Sequence, residues 1–253
     1  MQLDLTDRVV IVTGAGRGIG EAIAAAFREE GCRVVRLDLA SAGFPAVEDD
    51  LVCDVRDRVA VDAAVAAVLE RHGRIDMLVN NAGVIVEGPL EALDDDAWER
   101  CFDVNVHGVF RMCRAVVPAM QRQRSGRIIN AASFAAIVPS VHSAAYAASK
   151  AAVVQLTRVL AGELGPYGVT VNAYAPGMVP TAMNGFADLP QPAQDRLLDT
   201  LSLRRWETPD DVTALLRFLA SDAAGYITGT LLDVSGGKLA TQIPAKAYEA
   251  AER

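Results

Sequence analysis

A glycine-rich segment between an apolar run and a helical pattern constrains the fold of this chain most strongly. Residues 9–12, Val-Val-Ile-Val, form a β-branched run typical of a strand that is buried on both faces. Glycines follow at alternate positions from Gly14 to Gly20, and apolar residues then recur with helical spacing. Glycines let the backbone turn tightly and approach a pyrophosphate, and the helix N-terminus offers unpaired N–H groups to it. Strand, glycine loop and helix in this order predict a dinucleotide-binding site, since a plain turn needs only one glycine.

The residue that ends the next predicted strand bears on the choice of dinucleotide. Residues 33–38 predict this strand, and its last residue is Asp38. A carboxylate at this position meets the 2′-hydroxyl of the adenosine ribose and would repel a 2′-phosphate. Asp38 therefore favours NAD, although an ordinary strand-end aspartate in a turn would look the same. Arg17 in the glycine loop leaves NADP open, and Leu39, where an Arg or Lys would suit NADP, weakens that alternative.

Segments with strand character alternate with helical patterns along the whole chain. We predict strands at residues 9–12, 33–38, 51–55, 75–79, 127–133, 169–174 and 230–237. This alternation predicts an α/β fold: a single doubly wound Rossmann-type domain over residues 1–253, with a seven-stranded parallel sheet and helices on both faces. We expect right-handed crossovers and ligands at the carboxyl ends of the strands.

Two segments carry features beyond this alternation. The acidic residues 94–96 cap a predicted helix that runs towards Met120 and holds Asn105 among apolar neighbours. Asn is a poor residue for a helix interior and needs partners when it is buried. We therefore expect Asn105 to be either a packing amide or part of a polar chain to the site. Residues 185–203 contain Pro190 and Pro192 and predict a long, loop-like lid over the site.

Charge and composition argue against several classes of function. The net charge of −8 makes the chain a poor partner for nucleic acid or an anionic membrane. The four cysteines form no Cys-x-x-Cys pair and the three histidines are scattered, so we expect no metal site and buried free thiols. No apolar run reaches the length of about 18 residues that a membrane span needs, and the N-terminus lacks an apolar signal core. We expect a cytoplasmic protein in a reducing compartment.

A tyrosine and a lysine four residues apart form the candidate catalytic pair. Tyr146 and Lys150 lie in an alanine-rich stretch that predicts a helix, which places their Cβ atoms about 5–6 Å apart on one face. A neighbouring positive charge favours the phenolate, so we expect a lowered pKa for Tyr146 and proton transfer near neutral pH. The same spacing also occurs by chance on amphipathic helices. Ser133 ends a predicted strand shortly before this helix, and Asn80, at the end of another, faces the cofactor or braces the sheet.

With these motifs the chain resembles the classical short-chain dehydrogenase/reductase family over about residues 3–240. The motifs stand in the order of that family: Thr13-Gly14-x-x-x-Gly18-x-Gly20, Asp54-Val55, Asn80-Asn81-Ala82-Gly83, Asn105, Ser133, Tyr146-x-x-x-Lys150 and Pro176-Gly177-x-Val179-x-Thr181.

The resemblance implies a role for each catalytic candidate. Tyr146 would donate and accept the proton, and Lys150 would lower its pKa and hold the nicotinamide ribose. Ser133 would hydrogen-bond the substrate oxygen, and Asn105 would hold a water in a proton relay behind Lys150. Asp54 and Val55 would contact adenine.

The resemblance also implies a set of cofactor contacts and an assembly. Val179 and Thr181 would position the nicotinamide carboxamide, and the tail from Thr228 to Gly237 resembles members that form homotetramers. The full set of expected cofactor residues is Gly14, Arg17, Gly18, Ile19, Gly20, Asp38, Asp54, Val55, Asn81, Ala82, Gly83, Tyr146, Lys150, Pro176, Gly177, Val179 and Thr181.

These features predict an NAD-dependent oxidoreductase that transfers hydride reversibly between NAD(H) and a secondary alcohol or ketone. The expected substrate is a small hydroxy compound such as a polyol, a sugar or a hydroxy acid. A 3-oxoacyl thioester reductase, acting on acyl-carrier protein or CoA, is the alternative, although Asp38 argues against its usual NADPH. A non-catalytic nucleotide-binding regulator is a third hypothesis, and an intact Asn–Ser–Tyr–Lys set argues against it. Pocket candidates flank the motifs: Phe134, Val138, His142, Met178, Met183 and Phe186.

Overall fold

Seven parallel strands form one sheet in the computed structural model of the chain, which describes residues 3–45, 47–181, 184–238 and 240–251. The strands are β1 (Val9–Thr13), β2 (Arg33–Asp38), β3 (Leu51–Val52), β4 (Met77–Asn80), β5 (Gly126–Ala131), β6 (Val169–Pro176) and β7 (Leu231–Val234). Their order across the sheet is β3-β2-β1-β4-β5-β6-β7. Because the order reverses between β1 and β4, a crevice for a ligand opens beyond their carboxyl ends.

Helices connect the strands and cover both faces of the sheet. In the described residues they are α1 (Gly18–Glu29), α2 (Arg58–His72), α3 (Asp95–Phe102), α4 (Val109–Gln123), α5 (Ala144–Leu164), α6 (Gln191–Leu198), α7 (Pro209–Ala220) and α8 (Ala245–Ala251). The predicted doubly wound α/β architecture with its seven strands is confirmed.

Alternate residues of the central strands feed two separate cores. Val9 and Ile11 of β1 pack with α2, α4 and α5 on one face of the sheet. Val10 and Val12 pack with α1 and α7 on the other face. Because both faces are covered, the central strand β1 is apolar at almost every position, which explains the continuous β-branched run at residues 9–12.

The third strand is shorter than predicted. It ends at Val52, three residues before the predicted end. Asp54 turns the chain there, because its side chain accepts a hydrogen bond from the N–H of Arg56 at 2.9 Å and its carbonyl accepts one from Asp57. The Asp54-Val55 motif therefore lies in the turn after the strand.

The long helix predicted from residue 95 to Met120 forms, but a single wide turn interrupts it. Residues Asp103–Gly108 adopt a π-helix between α3 and α4, and Asn105 lies inside this turn. Wide turns of this kind occur frequently at functional sites.

The segment expected to be a loop-like lid is largely helical. Residues Phe186–Asp188 form a 3-10 turn and Gln191–Leu198 form α6, which begins directly after Pro190. Pro192 falls in the first turn of this helix, where a missing N–H costs nothing. The prolines therefore start a helix here instead of preventing one.

Candidate active site

The glycine loop lies directly against the carboxyl end of β4. Gly14 has a φ of +64°, and a Cβ there would lie 2.7 Å from the Cα of Ala82. A Cβ on Gly20 would lie 2.0 Å from the carbonyl oxygen of Gly14 and 2.5 Å from the Nδ2 of Asn81. Both positions therefore need glycine: Gly14 lies against the backbone after β4, and Gly20 lies against the Gly14 carbonyl of the loop itself.

Asn81 joins this loop to the sheet. Its Nδ2 donates to the carbonyl oxygens of Thr13 and Gly14, both at 3.1 Å, and its Oδ1 accepts from the hydroxyl of Tyr174. The hydroxyl of Thr13 accepts the N–H groups of Asn81 and Ala82 at 3.0 Å. Asn81 thus fixes the loop through its side chain, and Asn81 and Ala82 both contact it through their backbone N–H groups.

Asp38 ends β2 beside the same loop, as predicted. Its two carboxylate oxygens accept the N–H groups of Gly16 and Leu39, each at 2.7 Å. Arg17 precedes α1 with an exposed side chain, and Ile19 packs in the core under α1. The loop therefore carries a carboxylate at its sheet side and an exposed cation, Arg17, on its outer side.

Asp54 and Val55 lie in the turn after β3. Arg56 binds the Asp54 carboxylate with its side chain, and this ion pair lowers the pKa of Asp54. Val55 is buried against Gly108, where an added Cβ would lie 2.8 Å from Val55 Cγ2. The carboxylate of Asp54 is therefore already paired within the protein.

Tyr146 faces Ser133 across the end of β5. Burial raises the pKa of Tyr146 above its ordinary value, and a hydrogen bond to Ser133 offsets part of this rise. The Ser133 hydroxyl also accepts the N–H of Ala135 at 3.1 Å. The lowered pKa expected for Tyr146 from the neighbouring lysine is thus not found, because removal of the phenol from water is the largest effect on it.

Lys150 lies one turn along α5 from Tyr146 and is buried. Its Nζ donates to the carbonyl oxygen of Ala131 at 2.8 Å and lies 5.8 Å from the centre of the Tyr146 ring. Burial lowers its pKa to about 8. A Cβ on Gly83 would lie 3.4 Å from this ammonium, so the end of β4 approaches it closely.

Asn105 connects the wide helical turn to the residue after Gly83. Its Oδ1 accepts the N–H of Val84 at 2.8 Å, and its Nδ2 donates to the Val84 carbonyl and to the Ser149 hydroxyl, both at 3.0 Å. Both alternatives for Asn105 thus have support: it is a fully paired amide, and it lies between the end of β4 and the helix of the candidate pair.

Asn80, by contrast, braces the sheet. Its Nδ2 donates to the Oδ1 of Asn130 at 2.8 Å and contacts the Cys113 sulfur. It is buried and is therefore part of the sheet interior.

The segment after β6 approaches the end of β7. A Cβ on Gly177 would lie 2.8 Å from the Cα of Ser235, and Val179 is buried. Asn184 accepts the Thr181 N–H and donates to the Val179 carbonyl. Sequence reasoning missed Glu207, whose carboxylate accepts the Gly177 N–H at 2.5 Å, and no local motif marks this residue.

The pocket candidates lie in several environments. Val138 and His142 are exposed, and His142 has a φ of +68°. Met178 is buried, whereas Phe186 stacks on Trp206 at 5.7 Å. Phe134 lies under the ammonium of Lys238 at 5.1 Å. Met183 lies outside the described residues.

These residues fit a dinucleotide at the carboxyl edge of the sheet. The two glycines leave a backbone cradle that a side chain would fill, and α1 points its free N–H groups towards it. The cysteines at positions 32, 53, 101 and 113 are free and buried, as predicted. The described residues hold no cluster of three or more metal-ligating side chains and no helix with the length and apolarity of a membrane span.

Comparison with known proteins agrees with this geometry. A family described as "Enoyl-(Acyl carrier protein) reductase" matches residues 14–238. The FabG 3-oxoacyl-[acyl-carrier-protein] reductase of Thermotoga maritima is 36% identical over 243 residues, which cover 92% of this chain and 98% of that protein. D-threitol dehydrogenase of Mycolicibacterium smegmatis is 40% identical over 92% of this chain and 93% of its own length.

The fold comparison gives the same result. A crystal structure of gluconate 5-dehydrogenase from Burkholderia cenocepacia, in complex with NADP and tartrate, superposes with a TM-score of 0.89. It is 33% identical, and the match covers 95% of this chain and 98% of that one. The protein is therefore an oxidoreductase that belongs to the classical short-chain dehydrogenase/reductase family.

Proposed function

We propose that the protein transfers hydride reversibly between NAD(H) and a secondary alcohol or ketone. One observation carries this proposal: the half-buried Tyr146 and the buried Lys150 meet Ser133 at the carboxyl edge of the sheet, beside a glycine cradle. A phenol, an ammonium and a hydroxyl at one point can hold a carbonyl oxygen and pass a proton to it.

The side chains have distinct roles in this proposal. Tyr146, whose pKa burial raises above its ordinary value, holds its proton at neutral pH and donates it to the substrate oxygen during reduction. Ser133 binds the same oxygen. Lys150 holds the nicotinamide ribose, and Asn105 connects Lys150 to a path for the proton. Bound NAD(H) would supply the hydride.

Asp38 supports NAD as the cofactor. Its carboxylate lies beside the glycine loop, where a 2′-phosphate would meet its negative charge. Related proteins leave this choice open, because the gluconate 5-dehydrogenase structure contains NADP. Arg17, exposed at the start of α1, is the residue that would favour NADP. A direct comparison of the two cofactors is therefore part of the test.

A small hydroxy compound is the proposed substrate, with polyols, sugars and hydroxy acids as the classes. The similarity to D-threitol dehydrogenase supports a polyol. The second candidate, a 3-oxoacyl thioester reductase, is favoured by the similarity to FabG. Asp38 argues against it, since such reductases use NADPH.

The family resemblance also supports a homotetramer in the cytoplasm. Sedimentation of the purified protein measures the assembly, and fractionation of the source cell measures the location. A monomer would contradict the first proposal.

A cofactor-linked assay over a substrate panel tests the function. The panel contains polyols, sugars, hydroxy acids and a 3-oxoacyl thioester, each with NAD(H) and NADP(H). We expect the highest kcat/KM for a small hydroxy compound with NAD. Preference for the thioester with NADPH would support the second candidate, and no turnover with cofactor binding intact would support a regulator.

A further inference from the structure

A buried carboxyl group lies behind the segment proposed to meet the nicotinamide. Glu207 precedes α7 and is 7% exposed. Its Oε2 accepts the N–H of Gly177 at 2.5 Å, and its own N–H donates to the carbonyl of Met178 at 3.2 Å. The two hydrogen bonds therefore hold two adjacent residues, Gly177 and Met178, of the segment that follows β6.

The second carboxyl oxygen has no partner. Within the described part of the chain, Oε1 of Glu207 is buried without a hydrogen bond. Burying such an oxygen costs free energy, and native proteins rarely accept this cost without a gain elsewhere. The gain here is the hold on Gly177, whose N–H would otherwise be left unpaired.

The charged neighbours of Glu207 pair with groups other than Glu207. Glu207 lines a cavity of about 170 Å³ with Asp211, Asp233 and Arg205. Arg205 binds Asp211 instead, at 2.7 Å from both of its carboxylate oxygens. Asp233 accepts the N–H of Ser235. The neighbouring charges are thus engaged elsewhere, and Glu207 keeps its contact with the Gly177 backbone.

The segment also lies close to the backbone of Ser235. Gly177 lies so near the Ser235 backbone that a Cβ would approach its Cα to 2.8 Å. Gly177 is therefore held by the Glu207 carboxylate through its N–H and lies in close contact with the backbone after β7.

We infer that Glu207 is a positioning residue that holds residues 176–181 at the depth required for binding the nicotinamide end of the cofactor. The inference rests on the proposed function, because that function places the nicotinamide at this segment. Glu207 itself touches neither cofactor nor substrate. It acts through the N–H of Gly177 and the carbonyl of Met178.

Three variants test the inference. Glu207→Ala removes the acceptor, and Glu207→Gln keeps an oxygen that can accept the Gly177 N–H. Asp76→Ala is the matched control, because the buried Asp76 accepts the N–H of Val9 at 2.9 Å at the opposite, amino edge of the sheet. Hydrogen exchange of the 176–181 peptide without cofactor and the Kd for NADH are measured below the melting temperature of each variant.

We expect Glu207→Ala to exchange faster at 176–181 and to bind NADH about tenfold more weakly, with KM for NADH raised more than kcat is lowered. Glu207→Gln should restore both values, and Asp76→Ala should lower the melting temperature alone. Wild-type exchange and NADH binding in Glu207→Ala, or equal weakening by Asp76→Ala, would overturn the inference. If the wild-type protein binds neither NADH nor NADPH, the proposed function fails, whereas hydrogen exchange still decides whether Glu207 holds the segment.

Discussion

The ammonium of Lys150 lies 5.8 Å from the centre of the Tyr146 ring, held there by the carbonyl oxygen of Ala131 at the end of β5. Lys150 is buried and Tyr146 is half-buried, so the pKa of the phenol rises and that of the ammonium falls. A protonated phenol is the form of tyrosine that can donate a proton to a carbonyl oxygen.

Gly20→Ala should damage the cofactor cradle. The added Cβ would lie 2.0 Å from the Gly14 carbonyl oxygen, so the start of α1 and the glycine loop must move apart. We expect a loss of about 1–3 kcal/mol in the free energy of unfolding and weaker NADH binding. Thermal melting and fluorescence titration measure the two effects.

Gly162→Ala is the control for that variant. Gly162 lies inside α5, and a Cβ there meets nothing within 4 Å. The change should raise stability by up to about 1 kcal/mol and leave NADH binding as it is. Equal NADH affinity in the Gly20→Ala and Gly162→Ala variants would show that the glycine loop does not contact the cofactor.

Asp38→Asn should shift cofactor preference towards NADP. The amide oxygen can still accept the Gly16 N–H of the loop, although the hydrogen bond from the Leu39 N–H is lost, and the charge that repels a 2′-phosphate disappears. We expect the ratio of kcat/KM for NAD to that for NADP to fall about tenfold or more. Asp62→Asn removes the same charge from the exposed surface of α2 and should leave the ratio unchanged. An unchanged ratio in Asp38→Asn would remove the basis for the NAD assignment.

Glu207 should make stability depend on pH. Burial, together with the charges of Asp211 and Asp233, raises the pKa of Glu207 from 4.5 to about 8, against the opposing effects of the Gly177 hydrogen bond and Arg205. The folded state therefore binds an extra proton between these values, so the stability contributed by this group falls as pH rises from 4.5 to 8.

The Glu207→Gln variant isolates this effect, because its side chain does not titrate. Unfolding by denaturant at several pH values should show the variant gaining stability relative to the wild-type protein as pH approaches 8. Parallel curves across the range would mean that Glu207 titrates in the folded protein as it does in water.

Local sequence patterns predicted most of the fold and of the candidate site. Gly14 and Gly20 could be predicted because a tight loop between a strand and a helix leaves no room for a side chain at these positions. Asp38 could be predicted because its position follows from the end of a strand. Spacing alone placed Tyr146 and Lys150 on one face of α5.

Properties that depend on distant segments could not be predicted. The pKa of Tyr146 depends on its burial, to which Val86 and Cys101 contribute, and neither is near it in sequence. Glu207 was missed because its partner, Gly177, lies on another element, and the Trp-Glu-Thr-Pro sequence around it looks like an ordinary helix start. The wide turn at Asn105 also depends on a tertiary contact, with Val84.

Turnover by Tyr146→Phe tests the central claim most directly. Phenylalanine keeps the packing against Val86 and Cys101 but cannot carry a proton. With the best substrate of the panel, kcat should fall about a hundredfold to ten-thousandfold while the Kd for NADH stays near that of the wild-type protein. Tyr226→Phe, at a fully exposed tyrosine, should leave both values unchanged. A Tyr146→Phe variant that keeps most of its turnover would contradict the account, because another group would then have to supply the proton.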